Sequence, residues 1–539
     1  MKVFKKLFAF LIVAGFMFVL ASCGSKSGVV ANMEYTASTT KIKITATFAE
    51  NEHLKDNTAT VSIKEYSYGD DNSEVFEDQK TLTFSNDIYT KADDVEFSGL
   101  TKNTKYLYKL IVTYQDYAEV ITTLEATTSN AGDTDEEAIG ISTVEEFNAI
   151  GSNPTAHYVL KNNLDFTDKT LDNGITSSNM FKGSFDGGNY TIKNVKLTTS
   201  ATALFTYTKD ATIKNLKLDN ISADYSTGRS NAGIGSLIGQ AEGTIVNNIT
   251  ITNVDFKVKG NSSATINCGA VTGIATTSTF ENVTATGVNI EFTQSRYKTN
   301  VGLFAGQLGN DNNRSVGKTT YNGEEVTLLA GKCFGSGAIK VTLFTSNDGY
   351  THVGGFSGDI SSPSLVYDSY ANANITITKN VTVASDSTVS TDSVKSHIAV
   401  GGFVGCNNNG SMNIKKCLAN ASITAYAGNS EHVDAASNDL FTTSTSDDKY
   451  YAHIGGFVGV VRPIIANISD CIYKPVEEGI KVYASSTQTI DGNDVQVLFT
   501  GNTVAENKDS ATKVTNLVEW SDGISLDGFG DVVKGYLNK

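Results

Sequence analysis

From about Ile139 to Tyr483 the chain is a succession of short runs in which apolar and polar residues alternate, punctuated by a glycine-bracketed phrase. The phrase reads Gly235-Ser236-Leu237-Ile238-Gly239, Gly269-Ala270-Val271-Thr272-Gly273 and Gly302-Leu303-Phe304-Ala305-Gly306. It returns as Gly354-Gly355-Phe356-Ser357-Gly358, Gly401-Gly402-Phe403-Val404-Gly405 and Gly455-Gly456-Phe457-Val458-Gly459. First glycines are spaced by 34, 33, 52, 47 and 54 residues. A period that stretches by insertion is what stacked repeats produce, because added residues bulge out as loops and leave the stack intact.

A second, apolar-x-polar-x phrase accompanies these: Ile192-Lys193-Asn194-Val195, Ile213-Lys214-Asn215-Leu216, Ile245-Val246-Asn247-Asn248, Phe280-Glu281-Asn282-Val283, Val366-Tyr367-Asp368-Ser369, Ile414-Lys415-Lys416-Cys417 and Ile468-Ser469-Asp470-Cys471. Aligned, it gives a column of Asn194, Asn215, Asn247, Asn282, Asp368 and Asp470, with Lys416 the exception. The next column is small or apolar. Short runs rich in Val, Ile and Thr, stacked in register and joined by Gly and Asn corners, make a parallel β-helix. Asn tolerates the left-handed backbone of a corner and can ladder its amide to the next rung.

These phrases resemble the GLUG-motif repeats of bacterial surface proteins, as does the approach through Tyr158-Val159-Leu160 and Phe181-Lys182-Gly183-Ser184-Phe185-Asp186-Gly187-Gly188. The resemblance covers residues 139–483. It implies a right-handed β-helix on a secreted or anchored protein, used as a stalk or adhesive surface, and no catalytic activity of its own. Some relatives carry a zinc peptidase domain; this sequence has no His-Glu-x-x-His, so that activity is not carried over.

Upstream, Ile42, Ile44, Ala46 and Phe48 alternate with polar neighbours, as do Leu82 with Phe84 and Val95 with Phe97. The stretch Leu100-Thr101-Lys102-Asn103-Thr104-Lys105-Tyr106 resembles the E-to-F corner of fibronectin type III domains, with Tyr106 as the corner tyrosine and Lys102 where that family usually has proline. The expected fold class is therefore all-β, a fibronectin type III-like sandwich (30–128) followed by a parallel β-helix (139–483). An acidic linker (129–138) joins them. Ser142-Thr143-Val144-Glu145 reads as a capping box, opening a short helix with Val144, Phe147 and Ile150 on one face. That helix is expected to cover the β-helix's N-terminal end, since an open end exposes unpaired strand edges. Residues 484–539, with Leu517, Val518, Trp520, Leu526 and Phe529, are expected to cap the other end.

The first residues change the picture of where the chain works. Lys2, Lys5 and Lys6 precede an apolar run from Leu7 to Leu20, and Leu20-Ala21-Ser22-Cys23 matches a bacterial lipobox. The run is short for a membrane span, which needs about 20 residues, and its flanks are those of a signal peptide. The resemblance to lipoprotein signals implies removal of 1–22 and lipidation of Cys23, with 23–29 as anchor and tether; a secretory signal with an incidental cysteine is the lesser alternative. Formal net charge is −16, or −19 without residues 1–22. With Arg229, Arg296, Arg314 and Arg462 as the only arginines, nucleic acid is not an expected partner.

Candidate chemistry is sparse. Cys268, Cys333, Cys406, Cys417 and Cys471 lack metal spacing and read as buried core thiols, with a disulfide between neighbouring rungs as the alternative. His352 and His453 both lie two residues before their glycine phrase, in a column Gly233, Asn267, Asn300, His352, Ala399, His453. Two coils apart at ~4.8 Å per layer, the two histidines do not share a metal, and they read as a polar surface or turn ladder. Asp186, before Gly187-Gly188, reads as a turn residue, and Asp70, Asp71 and the Asp133 to Glu137 run read as solvated loops. No catalytic, metal or cofactor residue is assigned. The functional expectation is a lipid-anchored surface binding protein, an adhesin or ligand-binding stalk, with an extracellular protein or glycan as ligand. Its long insertions, Asn310 to Thr327 and Ala427 to Tyr450, would supply variable contact surface. The alternatives are a β-helix polysaccharide lyase or hydrolase, recognised by three or more ionisable side chains converging in a groove, and a structural spacer.

Overall fold

The computed structural model describes residues 27–537, except 70, 85–88, 130–131, 136, 228–231, 261–264, 295–297, 310–318, 322–323, 327, 345–349, 362–363, 381–396, 408–411, 427–451, 462–465, 484–503, 508–512, 520 and 522–530. Cys23, Asp70, all four arginines, Trp520, Leu526, Phe529 and the 427–450 insertion lie outside the described residues. The chain divides into two compact units, 1–139 and 140–539.

The first unit is two antiparallel sheets. Its strands are β1 (Ala31–Ala37), β2 (Lys41–Phe48), β3 (Ala59–Tyr68), β4 (Glu74–Thr81), β5 (Val95–Ser98), β6 (Lys105–Tyr114) and β7 (Tyr117–Thr127). They are ordered β1-β2-β5 in one sheet and β4-β3-β6-β7 in the other. The period-two pattern does what it predicts: Ile42, Ile44, Ala46 and Phe97 face inward from one sheet and meet Val61, Ile63, Tyr108 and Leu110 from the other. Tyr106 Oη accepts a bond from Thr101 N at 2.9 Å, tying the start of β6 back to the backbone upstream. The acidic run is not wholly free in solvent, because the Glu137 carboxylate accepts from the backbone N–H of Thr39.

Inside this core, Tyr108 Oη donates to Glu65 Oε2 at 2.8 Å, and both side chains are buried. Burial pushes the Glu65 carboxyl above its ordinary 4.5, more strongly than the Tyr108 hydroxyl draws it down; Asp78 and Glu77 add to the rise.

The second unit is a stack of coils, each visiting three parallel sheets in turn. A representative coil runs Ala232–Ile234 in sheet 3, Ile238–Glu242 in sheet 2 and the long strand Ile245–Gly260 in sheet 1. Among the described residues the sheets hold 16, 8 and 6 strands. The first glycines stack in register, Gly269 on Gly302, then Gly354, Gly401 and Gly455. Between the bracketing glycines the third position points inward. There Phe304, Phe356, Phe403 and Phe457 stack face to face, with centroids 4.6, 4.8 and 5.1 Å apart and planes within 10°. The longer step after Gly302 is absorbed as an antiparallel hairpin, Thr319–Tyr321 with Glu324–Val326.

The long strands bend at two left-handed corners, and this corrects the Asn column. Asn215 pairs with Asn248, not Asn247, because Lys214 already opposes Asn247. Asn194 belongs to the second corner: it lies level with Asn220, in line with Asn253 and Gly287. The first corner runs Asn215, Asn248, Asn282 and later Lys332, Asp368, Lys416 and Asp470, all at φ between 44° and 58°. The second runs Asn194, Asn220, Asn253 and Gly287, at φ between 55° and 63°. One apolar-x-polar-x word serves two corners five residues apart, so aligning words alone merges the two columns. The amides ladder between rungs, Asn248 Nδ2 to Asn215 Oδ1 at 2.8 Å and Asn220 Nδ2 to Asn194 Oδ1 at 2.7 Å.

The N-terminal helix (Val144–Asn148) is capped by Thr143 with Glu146, one residue later than the box read from Ser142 and Glu145. Its Phe147 is fully buried among Phe166, Phe185 and Phe205, with centroids 5.7–6.1 Å apart, and so closes the first coils. At the other end Val504–Asn507 and Lys513–Glu519 add strands to sheets 2 and 1. The last helix (Asp531–Leu537) packs Val533 on Leu418 and Ile472 of neighbouring rungs.

Two outcomes follow. A Cβ at Gly405 would sit 2.6 Å from Gly358 O and Val353 N, whereas one at Gly535 meets nothing within 4 Å. Gly405→Ala should lower stability by about 3 kcal/mol, while Gly535→Ala, in a helix, should raise it by up to ~1 kcal/mol; denaturant midpoints measure both. For Glu65, a folded value above the unfolded one means that its stabilisation is complete below about 4.5 and is lost as pH rises through the folded value. Glu65→Gln should therefore flatten the decline of β3 and β6 amide protection as pH is raised from 4.5.

Candidate functional site

The site is built by the turn inside each glycine phrase. The second glycines bring sheet 2 directly against the backbone of sheet 3: a Cβ at Gly358 would lie 2.4 Å from Val301 N, and one at Gly306 2.4 Å from Cys268 N. With the sheets this close, a residue two before the first glycine sits near the residue seven positions later. The pairs are Gly233 and Gln240, Asn267 and Ile274, Asn300 and Gln307, His352 and Asp359, Ala399 and Cys406, His453 and Val460. The sheet 3 column is the one that the spacing of the phrases predicts. Its sheet 2 counterpart reads Tyr207, Gln240, Ile274, Gln307, Asp359, Cys406, Val460.

His352 is not part of a surface ladder. It is 1% exposed, and Asp359 and Cys406 are both fully buried. Ligand atoms of His352, Asp359 and Cys406 all lie within 4.8 Å of one another. His352 Nδ1 is 3.3 Å from Asp359 Oδ2, and Lys298 Nζ is 3.6 Å from the same oxygen. Ser361 Oγ donates to Asp359 Oδ1 at 2.6 Å. Burial alone would raise the Asp359 carboxyl, but the adjacent His352 ring, the charges of Lys298 and His352, and the Ser361 hydroxyl together hold it below the usual carboxylate range. Aligning one column hid this group; the signal that finds it is the seven-residue spacing across the Gly-x-x-x-Gly turn, which pairs a histidine with an aspartate at one level only.

Lys298 also faces a pocket of ≈ 350 Å³ beside the same two columns, further towards the N-terminal end of the stack. Tyr207, Gln240, Gln307, Asn267 and Thr276 supply an aromatic ring, amides and a hydroxyl, and Glu242 and Lys298 are its charged members. Glu242 is held by Lys209 at 2.8 Å.

The other residues named from the sequence stay structural. Asp186 accepts from Gly188 N at 2.9 Å and Asn215 Nδ2 at 3.1 Å, which makes it a turn residue that also anchors the first Asn corner. All five described cysteines are buried, and none is in a disulfide. Burial pushes the Cys268 thiol up to about 12 and also raises Cys333 and Cys417, so these three are protonated and inert at neutral pH. Cys417 and Cys471 stand on neighbouring rungs, the Cys417 N–H 3.5 Å from Cys471 Sγ. No helix among the described residues is long and apolar enough to cross a membrane.

No family model matches the chain. An Immunoglobulin A1 protease of Streptococcus sanguinis is 26% identical over 238 residues, 43% of this chain and 11% of that protein. The chain thus spans about a tenth of the length of the curated relative it matches. Among solved structures, an IgA1 protease is 14% identical with a TM-score of 0.33, covering 79% of this chain and 30% of that one. The Yersinia enterocolitica family 28 exopolygalacturonase is 10% identical with a TM-score of 0.14, covering 90% and 98%. TM-scores this low do not establish a shared fold.

Removing Lys298 leaves the Asp359 charge buried with less compensation. Lys298→Met should cost about 3 kcal/mol, and adding Asp359→Asn should recover most of it; denaturant midpoints of the single and double variants check this.

Proposed function

We propose that this is a lipid-anchored binding protein of the cell surface, held at Cys23, whose right-handed, GLUG-type β-helix takes an extracellular glycan or glycoprotein in the recess beside sheets 2 and 3. The observation that carries the reading is the lining of that recess. Amides from Gln240, Gln307 and Asn267 and the Tyr207 ring match what a sugar offers, hydroxyls to pair and an apolar face to stack on. The apolar leader ending in Leu20-Ala21-Ser22-Cys23 supports the anchor. The sheet order and the Tyr106 bond support reading the first unit as fibronectin type III-like. The curated relative is by its name a protease of immunoglobulin A1, which supports a place outside the cell.

Two charged side chains line the recess, one short of the three that mark a polysaccharide-cleaving groove. Binding without turnover is therefore the reading the lining favours. On a glycan array the protein should retain a defined set of sugars, and Gln307→Ala should weaken that binding about tenfold, as loss of one buried amide pair does. Retention of no glycan, or release of reducing sugar from the bound ones, would replace this reading with the spacer or the lyase.

A further inference from the structure

The His352–Asp359–Cys406 group is independent of the recess reading and asks for its own explanation. Three different metal-ligating side chains meet where the fold needs none. The same position in the coils to either side is filled by amides or by an alanine facing a cysteine: Asn300 with Gln307, and Ala399 with Cys406. Cys406 belongs to the coil after Asp359 and lies directly beside it in register. The three residues therefore come from two coils and two sheets, and only the stack assembles them.

The spacing separates two explanations. A buried, charge-assisted histidine–carboxylate bond draws its atoms to about 2.7–2.9 Å. Here Nδ1 and Oδ2 stand 3.3 Å apart. A tetrahedral zinc with sulfur at about 2.3 Å, nitrogen near 2.0 Å and oxygen near 2.1 Å has ligand-to-ligand edges of roughly 3.3–3.6 Å. The histidine–aspartate separation matches such an edge, and the thiol lies within reach of both.

We propose that His352, Asp359 and Cys406 bind a thiophilic divalent transition metal, with zinc as the best fit, at a site that clips two neighbouring coils together. A thiolate, an imidazole and a carboxylate suit zinc and exclude magnesium and calcium, which take oxygen ligands. On binding, Cys406 releases its thiol proton and a charged His352 its second ring proton to solvent, and the sulfur and the freed ring nitrogen take the metal. Charge balances in both states. Without metal, the Asp359 carboxylate is offset by the positive charge shared between Lys298 and His352; with metal, carboxylate and thiolate together cancel its two positive charges. Lys298 then has no reason to stay. Its side chain, 13% exposed and lining the neighbouring pocket, has space to turn into. Ser361, bonded to the other carboxylate oxygen, keeps Asp359 oriented as an outer-shell partner does.

The test uses the purified full-length protein, exposed to zinc or cobalt both folded and during refolding, then freed of loose metal by buffer exchange. Elemental analysis should find about one zinc per chain, and the cobalt form should show a thiolate-to-cobalt charge-transfer band. Cys406→Ser and His352→Ala should lose the band and weaken metal retention about tenfold or more, while Cys268→Ser, removing a buried thiol elsewhere, should keep both. Should the ligand variants fail to fold, the wild-type protein still decides: a charge-transfer band and a zinc-dependent rise in Tm support the site. Absence of stoichiometric metal in the wild type after both exposures, or undiminished metal and band in folded Cys406→Ser, overturns it.

Discussion

The constraint on which the second unit depends is the contact between sheets 2 and 3, where no side chain fits between the backbones. Gly306, Gly358, Gly405 and Gly459 each place the position of a missing Cβ 2.4–2.6 Å from backbone atoms of sheet 3. Any other residue there would force the layers apart. Forcing them apart would also undo the neighbouring phenylalanine stack, since Phe356 and Phe403 lie between their bracketing glycines. Glycine repetition and aromatic stacking are thus one packing solution, and the coil-to-coil register follows from it.

Close layering has a chemical consequence. It turns the two columns flanking the contact into a series of facing pairs, enclosed where His352 meets Asp359 and open to the recess where Gln240 and Ile274 lie. Three levels place amides there, as where Asn300 Nδ2 donates to Asn267 Oδ1 at 2.7 Å between rungs. One level fills it with a histidine and an aspartate, joined from the next coil by a cysteine. Burying ionisable groups is costly unless they are paired or hold a metal, so this level is where stability and function meet. The adjoining recess uses the same columns nearer the N-terminal end, where Gln240 and Gln307 replace the acid. A single architectural device therefore supplies an enclosed polar cluster and an open polar pocket side by side.

The ends of the stack show how local sequence and long-range packing divide the work. Thr143 and Glu146 satisfy the first orphan amides of a one-turn helix, a local matter that the sequence announces within one residue. What makes that helix a lid is Phe147 reaching Phe166, Phe185 and Phe205, from strands and turns that follow it in the chain. At the far end the segment around Leu517 adds a strand to the stack, and the last helix lies against Leu418 and Ile472. Apolar pattern says that a segment must be covered; it does not say which surface will cover it.

The amino-acid sequence alone determined the repeat, the parallel stacking of its glycines and the column that holds His352, because period and residue type are local and survive insertions of any length. The alternating strands of the first unit and the turn role of Asp186 were legible for the same reason. Tertiary structure decided which of two left-handed corners each Asn occupies, since Asn194 and Asn215 both follow Ile-Lys but bend the chain at different places. It also decided that His352 is buried beside Asp359 and Cys406. That meeting depends on the depth of a turn and on the coil next door, and both are properties of the packed stack that alignment of one column with itself does not contain.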